Sequence, residues 1–249
     1  MLSEFEMKNK TVLGVAILLV VITGSLIGQE LGFGQNQGAK RLTPEQVANV
    51  HSRIFQTEEI GAIPDRLAKG TGDIHLYDRG PVVQRVQLDP KDQLASWLRE
   101  SDLIVLGKAS TGTSHMTVGK GFLYTDWMFT IEKVLKDNPS ASVKPETSII
   151  VVRPGGKLKI GERTIYAIRT DYRDFKPATE YMLFLRFIPE TGAYSVRWPI
   201  GVGFSGIRIV PIVNVLDKSE IEAFGMNKDA LLQKVQEALT DAARIPPAI

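Results

Sequence analysis

The sequence SDLIVLGKAS, residues 101–110, opens the stretch that decides the fold, and DWMFTIEKVLK, residues 126–136, ends it. Leu103–Ala109 is mostly apolar, as in a strand that is buried on one or both faces. From Trp127 to Val134 apolar and polar residues alternate, and this period of two predicts a second strand. The polar segment Ser110–Gly121 lies between them and predicts a loop.

Further apolar or alternating runs follow this stretch and predict more strands. They are Ser148–Arg153, Lys157–Ile160, Arg163–Ile168, Tyr181–Ile188, Tyr194–Trp198 and Ile207–Val215. The second and third of these predict a hairpin around Gly161 and Glu162. Because turn residues separate strands at short intervals, the pattern predicts a β-sandwich or a β-barrel.

Two helices are predicted before the first strand. Thr43 and Gln46 form a capping box around Pro44, which suits the first helical position, so a helix is expected from Pro44 to about Glu59. The segment KDQLASWLRESD, residues 91–102, has one apolar face and predicts a short helix that leads directly into the first strand.

The remaining elements are less regular. Gly61–Gly72 contains Pro64 and predicts a loop, whereas Ile74–Leu76 and Val82–Leu88 predict short strands. After the last strand, Asn227 can cap a longer helix. The apolar stripe of that helix consists of Leu231, Leu232, Val235 and Leu239. We expect this stripe to pack on the barrel, and a partner-binding helix is the alternative.

The N-terminal region predicts membrane targeting. Residues 11–28 (TVLGVAILLVVITGSLIG) carry no charge, and Lys8 and Lys10 precede them. As a helix this segment would measure about 27 Å, close to the ~30 Å hydrocarbon thickness of a bilayer. An uncleaved signal anchor and a cleaved signal peptide both fit. Residues 29–42, rich in glycine and glutamine, predict a flexible tether.

Composition excludes several kinds of site. The 249 residues are 43% hydrophobic, enough for a packed core, and the net charge is only +2, so no nucleic-acid partner is expected. There are no cysteines, which excludes disulfides, thiolate metal sites and cysteine nucleophiles. The histidines, His51, His75 and His115, are far apart and have no metal-ligand spacing. We expect no metal and no cofactor.

The order of the elements resembles the TIMP/netrin-like OB-fold domain of exported bacterial proteins. The motifs that carry the resemblance are SDLIVLGKA (101–109), EKVLK (132–136), VVRPGG (151–156) and YMLFL (181–185). The resemblance covers about Leu94–Val215 and implies a five-stranded Greek-key barrel with added strands and a flanking helix. Metalloproteinase inhibitors of this family chelate metal through an N-terminal cysteine. This chain has none, so that chemistry is not carried over.

The expected fold is therefore mainly β (α+β), an OB-like Greek-key β-barrel with flanking helices, preceded by a membrane helix or signal peptide. The expected divisions are a targeting segment (1–28), a tether (29–42), a helix with short strands (43–93), the barrel (94–216) and a C-terminal helical segment (217–249).

Two short motifs suggest catalysis or cofactor binding, but neither meets its physical requirement. Residues 201–206 match G-x-G-x-x-G, yet a β-branched segment with a proline follows them where a dinucleotide site needs a helix. Ser114 and His115 are adjacent, and neighbouring side chains generally point apart, so a nucleophile–base pair is not expected.

Charged and aromatic groups offer other candidates. Asp171, Asp174 and Glu180 lie near basic residues, and paired carboxylates can act in acid–base catalysis or bind calcium. A solvated surface is the alternative for these three. Four basic residues lie on the turn and the predicted hairpin that come after Ser148–Arg153, and such a face suits an anionic ligand, although no aromatic residue is interleaved with them. They are Arg153, Lys157, Lys159 and Arg163. Core packing is expected for Trp97, Trp127 and Trp198.

No catalytic residue is assigned on these patterns. The function that they favour is a non-catalytic binding or interaction module outside the cytoplasm, tethered through residues 11–28 or secreted, with an envelope protein or cell-surface polymer as its partner. The alternatives are an extracytoplasmic hydrolase or carbohydrate-active enzyme that uses Asp and Glu, and a structural subunit of the envelope.

Overall fold

The computed structural model describes residues 42–54, 62–78, 89–169, 173–212 and 227–244. Strands hold 46% of the described residues and helices 27%, which confirms a mainly β fold. Helices are α1 (Pro44–Ile54), α2 (Ala62–Lys69), α3 (Pro90–Glu100) and α4 (Lys228–Arg244). Strands are β1 (Ile74–Asp78), β2 (Leu103–Met116), β3 (Leu123–Lys136), β4 (Ser148–Pro154), β5 (Gly156–Ile160), β6 (Arg163–Arg169), β7 (Glu180–Ile188), β8 (Ala193–Ser205) and β9 (Arg208–Pro211).

The larger of two sheets has six strands in the order β4-β3-β2-β7-β8-β9. Its neighbours along this order are antiparallel, so short connections suffice between most of them. A parallel contact between β4 and β8, at Val151 with Tyr194 and at Val152 with Ser195, brings the sheet back on itself. The sheet is therefore partly ring-like.

The central pair, β2 and β3, is longer than the sequence indicates. The loop that we predicted over Ser110–Gly121 is wrong for most of its length, because β2 continues to Met116 and pairs with β3 in register, for instance Ser114 with Thr125. Polar side chains are compatible with a strand where one face meets solvent. The connection that remains closes through Thr117, whose N–H donates to the carbonyl oxygen of Phe122 at 3.0 Å.

Both faces of the large sheet carry apolar cores. On one face Val105, Phe129 and Leu183 are fully buried in one cluster. On the other face the apolar sides of α3 and α4 cover a second cluster, in which Leu231 and Val235 of α4 are 0% exposed. The prediction that the C-terminal stripe packs on the β-structure is confirmed. Full burial of such side chains stabilises a fold by about 1.5–3 kcal/mol each.

The smaller sheet has three strands in the order β1-β6-β5, with β1 parallel and β5 antiparallel to β6. Its inner face packs on α2 and on the start of β3 in a third core cluster, which includes Ile63, Ile165 and Leu123. Its outer face carries the side chains that alternate with these. The sheet thus presents one buried and one open face.

Helix α2 lies within the segment Gly61–Gly72, where we predicted a loop, so that prediction is wrong. Pro64 is tolerated because it occupies the first turn of the helix, where its missing N–H has no intrahelical acceptor. Ile63 is 0% exposed and holds the helix against the small sheet.

Several predictions fall on residues outside the described ranges. These are the targeting segment 11–28, the tether up to residue 41, the end of the first helix near Glu59, the strand Val82–Leu88 and the end of the strand Ile207–Val215. Within the described part of the chain, no helix has the length and apolar character needed to span a membrane.

Candidate functional site

The glycine motif at residues 201–206 belongs to a strand. Strand β8 runs to Ser205, and β9 follows after a tight turn. A Cβ on Gly201 would lie 2.5 Å from Ile212 Cδ1, and one on Gly203 would lie 2.9 Å from the Tyr181 ring. These glycines therefore allow close packing, and the absence of a following helix agrees with the prediction.

The candidate carboxylates are engaged separately. Glu180 accepts hydrogen bonds from Lys228 Nζ at 2.6 Å, which ties the start of β7 to the first turn of α4. Asp174 is exposed in the segment before β7, and Asp171 lies outside the described residues. The two described members of this group therefore have different surroundings.

Ser114 and His115 project to opposite sides of β2, as predicted for neighbours in a strand. The Ser114 hydroxyl lies 2.9 Å from Thr125 Oγ1 and accepts the Lys157 N–H at 3.1 Å. His115 instead lies beside Asp126. The Ser114 hydroxyl is thus a link between β2 and β5.

Two of the three tryptophans have described side chains, and both pack in the fold. Trp97 is 2% exposed beside Phe184, with ring centroids 6.1 Å apart. Trp127 packs edge-on against Phe175 at 5.6 Å. The Trp198 side chain lies outside the described part of the structure.

The four candidate basic residues separate into two pairs. Arg153 is 3% exposed, with its guanidinium 4.2 Å from the centre of the Phe175 ring, so it belongs to the interior. Arg163 donates to carbonyl oxygens at the end of α2, including that of Leu67 at 2.7 Å. Lys157 and Lys159 are exposed on the outer face of the small sheet. Only this second pair is available to an anionic ligand.

Sequence reasoning missed a polar cluster beneath α1, which we call the His51 cluster. It comprises His51, Asp126, His115, Thr191 and the ring of Tyr124. His51 Nδ1 lies 3.0 Å from Asp126 Oδ1, and His51 Nε2 lies 2.9 Å from Thr191 Oγ1. The second Asp126 oxygen is 3.5 Å from His115 Nε2. The tertiary fold assembles this set, because Asp126 and Thr191 are 75 and 140 residues from His51 in sequence.

An imidazole that lies between a hydroxyl and a carboxylate can activate that hydroxyl as a nucleophile. Two observations favour a structural role here. His51 is only 2% exposed, and the N–H groups of Thr191 and Gly192 both donate to the carbonyl oxygen of Ile188, so they are not aimed at an oxyanion. The contacts fasten α1 to the large sheet, and Ser52 of α1 adds another by accepting the Val118 N–H at 3.2 Å.

The Tyr124 ring forms the floor of the cluster. It meets the His51 ring edge-on at 6.0 Å and stacks on His115 at 5.2 Å. Burial, with a further contribution from the negative charge of Asp126, raises the pKa of Tyr124 to about 12. The phenol therefore stays neutral over the physiological range.

A shallow groove of about 360 Å³ runs between α1 and the end of β7. Val50 and Arg53 line one side, and residues 186–190 with Ser195 line the other. His51 is not among the lining residues, so the groove does not give access to the imidazole.

The second candidate is the outer face of the small sheet, which we call the outer face. Its members are His75 and Tyr77 of β1, Thr164, Tyr166 and Ile168 of β6, and Lys157 and Lys159 of β5. Tyr77 is 68% exposed and Ile168 is 40% exposed, so the outer face presents two large hydrophobic side chains to solvent.

Cross-strand pairing orders the outer face into rows. In the central row Tyr166 pairs with Lys157 on one side and with His75 on the other. The rings of His75 and Tyr166 stack at 4.9 Å with an angle of 8° between them, and Lys157 Nζ lies 5.2 Å from the Tyr166 ring centre. Tyr77, two residues further along β1, lies beside His75 with the ring centroids 6.5 Å apart. We call the three rings the aromatic row, and Lys157 lies at its Tyr166 end.

The charge of the outer face is uneven. Both lysines stand on β5, whereas the strand positions of the outer face hold no carboxylate. Asp73 precedes β1 and accepts the Thr164 N–H at 2.9 Å, and Glu162 lies in the turn between β5 and β6. The positive border therefore follows β5, and the acidic groups stand near one end of the sheet.

The sequence carried a partial signal for this surface. IHLYD and RTIYAIR both alternate, which predicts an open face with His75, Tyr77 and Tyr166 on it. What the sequence did not reveal is that β1 pairs with β6, because 91 residues separate the paired positions, for instance His75 and Tyr166. That pairing places His75 beside Tyr166, which in turn pairs with Lys157 of β5.

Among the described residues, no group of three or more His, Asp or Glu side chains has an arrangement that would hold a metal ion. No protein-family model matches the chain, and no curated protein matches it.

Proposed function

We propose that the chain is a non-catalytic binding module and that the outer face is its binding surface for a cell-surface polymer. The observation that carries this proposal is the aromatic row of Tyr166, His75 and Tyr77 beside an exposed lysine border. An open sheet face with aromatic rings and cations suits an extended ligand, because contacts repeat along the strands.

The same proposal includes a location outside the cytoplasm, with residues 11–28 as a membrane anchor or a cleaved signal. Its support is the uncharged apolar run behind Lys8 and Lys10. An aromatic binding surface directed at a cell-surface polymer is consistent with that location.

We further propose that the partly ring-like sheet is an OB-like barrel of the TIMP/netrin-like kind. The five strands β2, β3, β4, β7 and β8 support it. Each of them pairs with the next around the ring, and the contact between β4 and β8 is parallel while the others are antiparallel. In this proposal β5 and β6 are an insertion that builds the small sheet.

A polysaccharide array tests the proposed function. Full-length protein in detergent is applied to neutral and acidic polysaccharides, as wild type and as the double variant Tyr77→Ala/Tyr166→Ala. We expect the wild type to bind at least one polymer and the variant to bind it about tenfold more weakly, since aromatic contacts contribute about 0.5–1.5 kcal/mol each.

The matched control is the double variant Val118→Ala/Ile207→Ala. Both side chains are large and exposed, at 56% and 71%, and neither lies on the outer face. This control should bind as the wild type does. A tyrosine variant that binds as tightly as the control would overturn the assignment of the surface, and a wild type that binds no polymer would overturn the function.

A further inference from the structure

We infer that the ligand of the outer face is an acidic polysaccharide. This inference rests on the proposed function and specifies its ligand class.

The first step concerns charge. Lys157 and Lys159 project from the same side of β5, two residues apart, which places their Cα atoms about 7 Å from each other. Both side chains are exposed. Two cations at this spacing, on a border without strand carboxylates, are complementary to a chain with repeating negative charges.

The second step concerns the rest of the ligand. Beside the lysines, the half-buried Tyr166 pairs with Lys157, and the exposed Ile168 and Tyr77 extend this aromatic and aliphatic surface along the strands. A ligand that offered charge alone would leave this surface without a contact. A sugar chain supplies apolar C–H faces for the rings and hydroxyl groups for the phenols and the imidazole, and its carboxylates meet the lysines.

Isothermal titration of the full-length protein in detergent tests the ligand class. The probes are an oligogalacturonate, a dextran fragment of similar length and inorganic polyphosphate. They represent an acidic sugar chain, a neutral sugar chain and repeating charge without sugar. We expect the oligogalacturonate to bind most tightly.

Lysine variants test the charge border. We expect Lys157→Ala/Lys159→Ala to weaken oligogalacturonate binding about fivefold to tenfold, from two partly screened ion pairs. The matched control, Lys91→Ala/Lys144→Ala, removes two exposed lysines elsewhere, on α3 and between β3 and β4, and should bind as the wild type does.

The contrary outcomes are distinct. Dextran binding as tight as oligogalacturonate binding would overturn the role of charge, and equal polyphosphate binding would overturn the role of the sugar. In each of these cases the polymer-binding function would stand. It fails together with the inference only if neither these probes nor any polymer on the array binds.

Discussion

A histidine packs against a tyrosine in two regions of the molecule, and the two pairs have different surroundings. Beneath α1, His51 is 2% exposed, meets Tyr124 edge-on and has a hydrogen-bonding partner at each ring nitrogen. On the small sheet, His75 is exposed and stacks flat on Tyr166. The ring nitrogens of His51 are thus paired within the protein, whereas the His75 ring is open to solvent.

The difference shows how burial decides what a histidine can do. A buried polar group must find its partners inside the fold, because an unpaired one costs about 1–3 kcal/mol. An exposed histidine has no such requirement and is free to exchange water for a ligand. The His51 cluster is therefore interpreted as a fastening for α1, and the outer face as a surface for binding.

The largest expected effect that tests this contrast is on stability. His51→Ala should lower the free energy of unfolding by about 2–4 kcal/mol, because it removes a buried ring and leaves Asp126 and Thr191 without their contacts to it. Urea unfolding followed by circular dichroism near neutral pH provides the measurement.

A control on the same helix separates this effect from general loosening of α1. Ser52→Ala removes one neutral acceptor, that of the Val118 N–H, and should cost only about 1 kcal/mol. The fastening role would be refuted if His51→Ala proved no more destabilising than Ser52→Ala.

Much of the fold was predictable because it follows from local patterns. The strand in the apolar run Leu103–Ala109, the strand in the alternating run Trp127–Val134 and the stripe of α4 were located correctly. The errors at Ser110–Gly121 and at α2 arose where tertiary pairing outweighs local composition. In β2 the polar residues are held by β3, and in α2 burial of Ile63 outweighs the effect of Pro64. The closed OB-like barrel and the membrane segment remain predictions.

The two candidate sites were predictable to different degrees. Lys157 and Lys159 were identified because charge on a hairpin is visible in sequence. Their aromatic neighbours were not, since they come from β1 and β6 by pairing. The His51 cluster had no sequence signal, because its members share no motif and lie on separate elements.

The second prediction concerns Tyr124 of the His51 cluster and the free energy of unfolding at alkaline pH. Tyr124 has its pKa raised from 10.0 to about 12 by burial and by Asp126. Because the pKa of this phenol is higher in the folded than in the unfolded chain, its contribution to stability is complete at pH values below the unfolded pKa. The contribution is lost as the pH rises from about 10 towards 12. After allowance for partial solvent screening, we expect a loss of about 1–2 kcal/mol in the wild type.

Tyr124→Phe removes the titrating group and should remove that loss. Urea unfolding of both proteins at about pH 9 and about pH 11.5 gives the change in the free energy of unfolding between the two pH values. This change is then compared between the wild type and the variant. An equal change in the two proteins would mean that the phenol has the same pKa in the folded and unfolded chains, contrary to its buried position beneath α1.

The smallest expected effect lies on the outer face and is the strictest test of the contrast. His75→Ala should change the free energy of unfolding by no more than about 0.5 kcal/mol, because an exposed cross-strand stack contributes at the low end of its range. On the inner face of the same sheet, Ile165→Val removes one methyl group from a side chain that is 0% exposed and should cost about 1 kcal/mol. Urea unfolding of both variants compares the two faces. If the loss from His75→Ala exceeded that from Ile165→Val, the aromatic row would be part of what holds the sheet together, and its rings would not be free for a ligand.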